Sequence, residues 1–185
     1  QVKIAVLDEG VDVNHPDLRG GITATFDAVD GDADQQPNPW DGHGTACAGL
    51  AAAQRNGRGV RGMGHGCSLM GARIAFSPRD GAGWVWVEQK VVKAIDWAWQ
   101  NGADILSNSW GGGAPSNAIT NAFERARLRG RGGKGCLIVV AAGNDSRELD
   151  FPEVTAVVMA LAAGLAIGGI VALCRGVLEP LLRAV

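Results

Sequence analysis

Runs of basic residues, and any interleaving of basic with aromatic residues, are missing from this 185-residue chain, whose formal net charge is −2. No nucleic-acid partner is therefore expected, because phosphate-binding surfaces need clustered Lys and Arg. Also missing is any CxxC pair. The four cysteines, Cys47, Cys67, Cys136 and Cys174, are scattered, so no zinc site is readable from their spacing. An even count permits disulfides without requiring them, and Cys47, one helical turn beyond His43, reads as a buried thiol. No initiator Met and no signal peptide opens the chain, and Gln1 stands directly before an apolar run. The expectation is that a leader was removed or that the segment was excised from something longer. What is present is a globular composition, 46% hydrophobic and only 19% charged, too apolar for a disordered chain and long enough for one domain with a real core.

Local patterns predict alternating strands and helices. Val2 to Leu7 is a short apolar run ending at Asp8 and reads as a buried strand. His43 to Gln54 is rich in small residues and suits a closely packed helix that begins near the histidine. Ser68 to Ala75 is a further strand candidate. Val85 to Gln100 carries apolar residues at helical spacing and is terminated by Asn101-Gly102. Asp104 to Ser109 reads as a strand, Ala118 to Leu128 as an amphipathic helix, Gly130 to Gly135 as a tight turn, and Leu137 to Ala142 as a β-branched strand. This alternation implies an α/β fold, a parallel sheet flanked by crossover helices. In such sheets the site lies at the carboxyl ends of the strands. Asp8 and Asn144 both follow strand candidates and His43 opens a helix, so polar groups distant in sequence can converge.

Three motifs carry these residues: Val6-Leu7-Asp8-Glu9-Gly10, Asp41-Gly42-His43-Gly44-Thr45 and Ala141-Ala142-Gly143-Asn144. Singly each is weak, since an Asp after a strand is usually a cap and an Asn after Gly usually a turn. Together and in this order they resemble the subtilisin-like serine proteases (subtilases), and within them the kexin-like branch. The resemblance implies a subtilisin-like α/β domain that hydrolyses peptide bonds with an Asp, a His and a Ser in that chain order. Asp8 would orient the imidazole, His43 would be the base, and Asn144 would donate its side-chain amide to the oxyanion, a contact worth roughly 10²–10³ in rate in this family. Asn14-His15-Pro16-Asp17-Leu18 resembles the family's stretch after the catalytic Asp. Ser107-Asn108-Ser109-Trp110-Gly111 resembles the strand that pairs with a bound peptide, so Ser109, Trp110 and Gly111 are implied substrate contacts on a polypeptide. Glu9 and the Gly130 to Gly135 segment are kexin-like features. The likeness runs from Val2 to about Val157. It fails at Gly112-Gly113-Ala114-Pro115, where kexin-like enzymes carry acidic residues, which argues against a strict preference for paired basic residues. Glu9 or Asp27 to Asp34 offers negative charge for basic substrates. The plainer expectation is an exposed acidic loop.

The resemblance also implies structural calcium. Asp17 matches a family ligand by its offset from Asp8, and the loop Asn56-Gly57-Arg58-Gly59 matches one that supplies carbonyls; oxygen donors suit this hard cation. A second group, Asp27, Asp30, Asp32 and Asp34, has no Glu closing a twelve-residue loop and reads as solvated.

The family's fourth motif, Gly-Thr-Ser followed by a small residue, is absent. None of Ser68, Ser77, Ser107, Ser109, Ser116 and Ser146 stands in that context. Loss of the serine alone from a subtilase lowers kcat by roughly 10⁶. Instead, Val154 to Cys174 runs for 21 residues without a charge, long enough to span a bilayer as a helix, with Gly164 and Gly168 in a GxxxG spacing. Acidic residues precede it and Arg175 and Arg183 follow, which would place the rest of the chain outside the cytoplasm. The sequence thus divides into a partial catalytic domain at 1–153, a hydrophobic, membrane-capable segment at 154–174 and a tail at 175–185. A buried strand plus helix of a truncated domain, or a shifted reading frame, would give the same run. Two functions follow: an endopeptidase chain that is inactive by itself, or a membrane-anchored pseudoprotease that binds peptides without cutting them.

Overall fold

The computed structural model describes residues 1–79, 82–111 and 114–141. Five parallel strands form the central sheet: β1 (Lys3–Asp8), β2 (Ile22–Asp27), β3 (Ser68–Arg73), β6 (Ile105–Asn108) and β7 (Leu137–Val140). Their spatial order is β2-β3-β1-β6-β7. Helix α1 (His43–Ala52) links β2 to β3, α2 (Glu88–Gln100) precedes β6, and α3 (Asn117–Gly133) links β6 to β7. A small antiparallel pair, β4 (Ala75–Phe76) with β5 (Val85–Trp86), lies outside the main sheet.

Alternation along β1 explains the layering. Ile4 and Val6 point to one face and pack with Ala48, Ala51 and Ala52 of α1, while Ala5 and Leu7 point to the other and pack with the α2 and α3 layer. A strand covered on both faces must be apolar throughout, which is why β1 reads as a continuous run. Each fully buried Ile or Leu here contributes about 1.5–3 kcal/mol.

The helices follow from their sequences. In α2 the buried residues Val91, Ala94, Ile95 and Ala98 keep the i, i+3, i+4, i+7 spacing of one stripe, and Gly102 at φ +85° accepts the left-handed turn that ends it. Ser116 caps α3 by accepting from the Ile119 N–H at 3.1 Å. Arg125 of α3 grips Asp96 of α2 through Nε at 2.9 Å and Nη2 at 2.7 Å. The Gly130 to Gly135 turn begins where Gly130 leaves helical geometry at ψ 158°.

The structure differs from the sequence reading in two elements. Val85–Trp86 is strand β5, and the helix begins only at Glu88. Both residues are exposed, so the apolar side chains that looked like a first helical turn lie on the surface. Strand β2 was not anticipated. Its Ile22-Thr23-Ala24-Thr25-Phe26 alternation is the available signal, diluted by an edge position that leaves most of it only half buried. Among the described residues no helix is long and apolar enough to cross a membrane; the 154–174 segment lies outside them.

Candidate active site

β1 sits where the sheet order reverses, with β3 on one side and β6 on the other. The crevice beyond its carboxyl end is where doubly wound sheets place their chemistry. Asp8 is the last residue of β1 and is fully buried. His43, the first residue of α1, brings its Nδ1 to 2.9 Å from Asp8 Oδ1 and 3.1 Å from Oδ2. The side chain of His43 is 49% exposed and that of Asp8 is 0% exposed, so a buried carboxylate backs an imidazole that solvent reaches. Gly44 allows this closeness, since a Cβ there would lie 2.2 Å from the Gly10 carbonyl and 2.9 Å from Asp8 Cβ.

Hydrogen bonding to Asp8, then to Cys47, pushes the His43 pKa up to about 10 against the opposing effect of burial. Cys47, a buried free thiol as expected, places Sγ 3.9 Å from Nδ1 and 3.8 Å from Nε2. Nδ1 faces the buried carboxylate, so the proton at Nδ1 is held there and Nε2 is the nitrogen left facing outward. Such a pair can fix the Nδ1–H tautomer and move a proton at Nε2.

Glu9 does not lie on an exposed acidic loop. It is 3% exposed, and its Oε1 accepts from the His43 backbone N–H at 2.6 Å while Oε2 accepts from the Trp84 indole N–H at 2.8 Å. Helix α1 has no side-chain N-cap from Gly42; Glu9 satisfies that orphan donor from another element. Burial, foremost, with Asp41 and Asp8 nearby, raises the Glu9 pKa despite the hydrogen bond from His43. Trp84 stands edge-on to the His43 ring with centroids 5.9 Å apart. Sequence reasoning missed Trp84; a tryptophan after Gly81-Ala82-Gly83 was the only signal.

The implied peptide-pairing residues follow β6, the neighbour of β1. Ser109 and Trp110 are half buried and Gly111 is exposed. Trp110 is tied into the fold, its indole donating to the Leu7 carbonyl at 2.9 Å and its ring stacked on Phe123. Asn144 and Ser146 lie outside the described residues. Of the acidic group, Asp32 and Asp34 are exposed as expected. Asp27 is not solvated: it is fully buried and bonded to Arg73 Nη1 at 2.9 Å, which also reaches Asp30 at 3.1 Å.

Asp17 and Asn56 do come together. Asp17 Oδ1 accepts from Asn56 Nδ2 at 3.0 Å, and Oδ2 accepts from the Val60 N–H at 2.9 Å. These bonds, Asn56 first, lower the Asp17 pKa. No ion pair to Asp17 occurs among the described residues, so a nearly buried carboxylate is met by neutral donors. One carboxylate, one amide and loop carbonyls fit a hard cation in chemistry. As arranged, Asn56 Oδ1 accepts from the Arg58 N–H at 2.9 Å, and its amide would have to turn to offer oxygen to a metal.

An Asp–His pair at the carboxyl edge of a doubly wound parallel sheet marks the site of this α/β protein. The subtilase family, peptidase S8, matches residues 1–169, and the chain belongs to that family. Thermitase of Thermoactinomyces vulgaris is 36% identical over 143 residues, 77% of this chain and 47% of that protein. A calcium-dependent protease of Nostoc is 35% identical over 167 residues, covering 80% of this chain and 24% of the relative. Among solved structures, fervidolysin from Fervidobacterium pennivorans, a keratinolytic enzyme related to subtilisin, aligns with TM-score 0.65 at 34% identity over 78% of this chain and 21% of that one. A psychrophilic protease aligns with TM-score 0.67 at 30% identity over 80% and 47% of the two chains. The chain thus spans less than half the length of these relatives.

Proposed function

We propose that the chain carries the acid–base half of a serine endopeptidase site and, by itself, does not cleave peptides. The observation that carries this reading is the Asp8–His43 pair, 2.9 Å apart with the carboxylate buried and the imidazole half exposed, in a chain without a Gly-Thr-Ser motif. Asp8 orients the ring, His43 Nε2 exchanges the proton, and Asn144 is assigned the oxyanion amide on its motif. The substrate is a polypeptide, laid along Ser109, Trp110 and Gly111 as an added strand. Kexin-like ancestry rests on Glu9 and the Gly130 to Gly135 turn. Calcium, where bound, would be held by Asp17, Asn56 with its amide turned, and the carbonyls that follow, bracing the loop behind α1.

A second reading, a peptide-binding pseudoprotease anchored by 154–174 and facing away from the cytoplasm, is favoured by the missing serine and by the length of that apolar run. The family match continuing to residue 169 favours the endopeptidase reading instead, since it takes the first part of that run into the family's domain. Sequencing the coding region beyond Val185 separates the two. A downstream Gly-Thr-Ser segment, in this or a shifted frame, supports the endopeptidase. A stop there, with stable expression and peptide binding without turnover, supports the pseudoprotease.

A further inference from the structure

Glu9 follows directly on Asp8, yet it does no work in the dyad as described. Its two oxygens are both engaged inside the protein, one by the first peptide N–H of α1 and the other by the Trp84 indole. With 3% of its surface exposed, it is poorly placed to receive a substrate side chain. The helix it caps carries His43 as its first residue, and the tryptophan it holds meets the His43 ring edge-on, centroids 5.9 Å apart at 79°. Residues 9, 43 and 84 thus close a circuit around the imidazole: backbone to carboxylate, carboxylate to indole, indole to ring.

We propose that Glu9 is a positioning residue that latches Trp84 against His43 and so sets the place of the imidazole. The proposal rests on reading His43 as the acid–base residue, but its test does not require peptide cleavage. Neither a neutral amide nor a shorter acid reproduces the latch. A glutamine offers one acceptor oxygen and turns an NH₂ toward one of the two donors, and an aspartate lacks a methylene of reach. A carboxylate accepting two N–H groups is the stronger acceptor, since hydrogen bonds to an ionised group are roughly twice as strong as neutral ones.

The experiment is NMR of the full 185-residue chain, following the six tryptophan indole N–H signals and the His43 ring protons, in wild type, Glu9→Gln, Trp84→Phe and the double variant. Trp84→Phe keeps an aromatic ring and removes the latch donor, so it serves where Glu9→Gln fails to fold. In wild type the Trp84 indole is shifted downfield and protected from exchange with water. Glu9→Gln is expected to abolish that protection and to move the His43 ring signals, with those of His15 and His65 unchanged. Trp84→Phe moves the same His43 signals, and the double variant moves them no further than the larger single change, as coupled sites do. An unprotected Trp84 indole in wild type overturns the proposal. So do His43 ring signals that stay in place in the folded Glu9→Gln or Trp84→Phe chain, or that shift additively in the double variant. Failure of the endopeptidase reading would appear elsewhere, as absence of a downstream serine segment, and would leave these signals as they are.

Discussion

At Asp8 and His43 two opposing effects meet in one pair. Burial disfavours the imidazolium, and the carboxylate together with Cys47 favours it. The second pull wins, which places the His43 titration near 10. The sign for stability follows from that direction. A histidine whose pKa is raised on folding contributes stability that is fully present below its unfolded value, about 6.5, and that fades as pH rises through about 10. Because the ring is half exposed, solvent screening keeps the contribution modest. Asp8→Asn should lower the His43 midpoint most and Cys47→Ala less, both toward the ordinary range, read by NMR titration; a midpoint unmoved in Asp8→Asn would contradict this order of causes. These residues were legible in the sequence because their motifs are local: a strand ending in Asp8 and a helix opening on His43. Glu9 and Trp84 were not, because their contact joins positions 75 apart and only the folded loops bring them together. Glu9 also looked like a surface acid until the helix N-terminus it caps was seen.

Among the elements, α1 and the loops on either side of it set the site. Its first turn lies so close to β1 that Gly44→Ala should destabilise the fold by roughly 1–3 kcal/mol and disturb the dyad, because the new methyl would press on the Gly10 carbonyl and Asp8; thermal melts with His43 chemical shifts check both effects. The loop behind α1 hangs on Asp17. Gly59 lies at φ +45°, and a Cβ there would meet Asp17 Oδ2 at 2.1 Å, so Gly59→Ala should loosen this loop. If the loop holds calcium as proposed, added calcium raises Tm in wild type by linkage and leaves Asp17→Ala unmoved. A calcium-independent Tm in wild type would remove the metal from the account. Helical periodicity revealed α2 and α3, and a small-residue run revealed α1. β2 escaped because a half-buried edge strand lacks a continuous apolar run, and Val85–Trp86 misled because exposed apolar residues imitate a helical stripe.

Across the whole molecule, the sheet order β2-β3-β1-β6-β7 carries the dyad to one edge. The family match accounts for residues 1–169, while relatives such as thermitase are more than twice as long as the matched part. The α/β architecture was readable from the alternation of patterns, since parallel strands buried on both faces write themselves as apolar runs. Function was readable only as far as the motifs extend, to an Asp and a His in a sequence that holds no Gly-Thr-Ser. The most direct measurement is labelling of the folded 185-residue chain by a fluorophosphonate serine probe in the presence of calcium, alongside hydrolysis of a fluorogenic peptide. Neither labelling nor hydrolysis is expected. Labelling that disappears in His43→Ala would reveal a nucleophile activated by the dyad within this chain and would contradict the claim that it is inert alone.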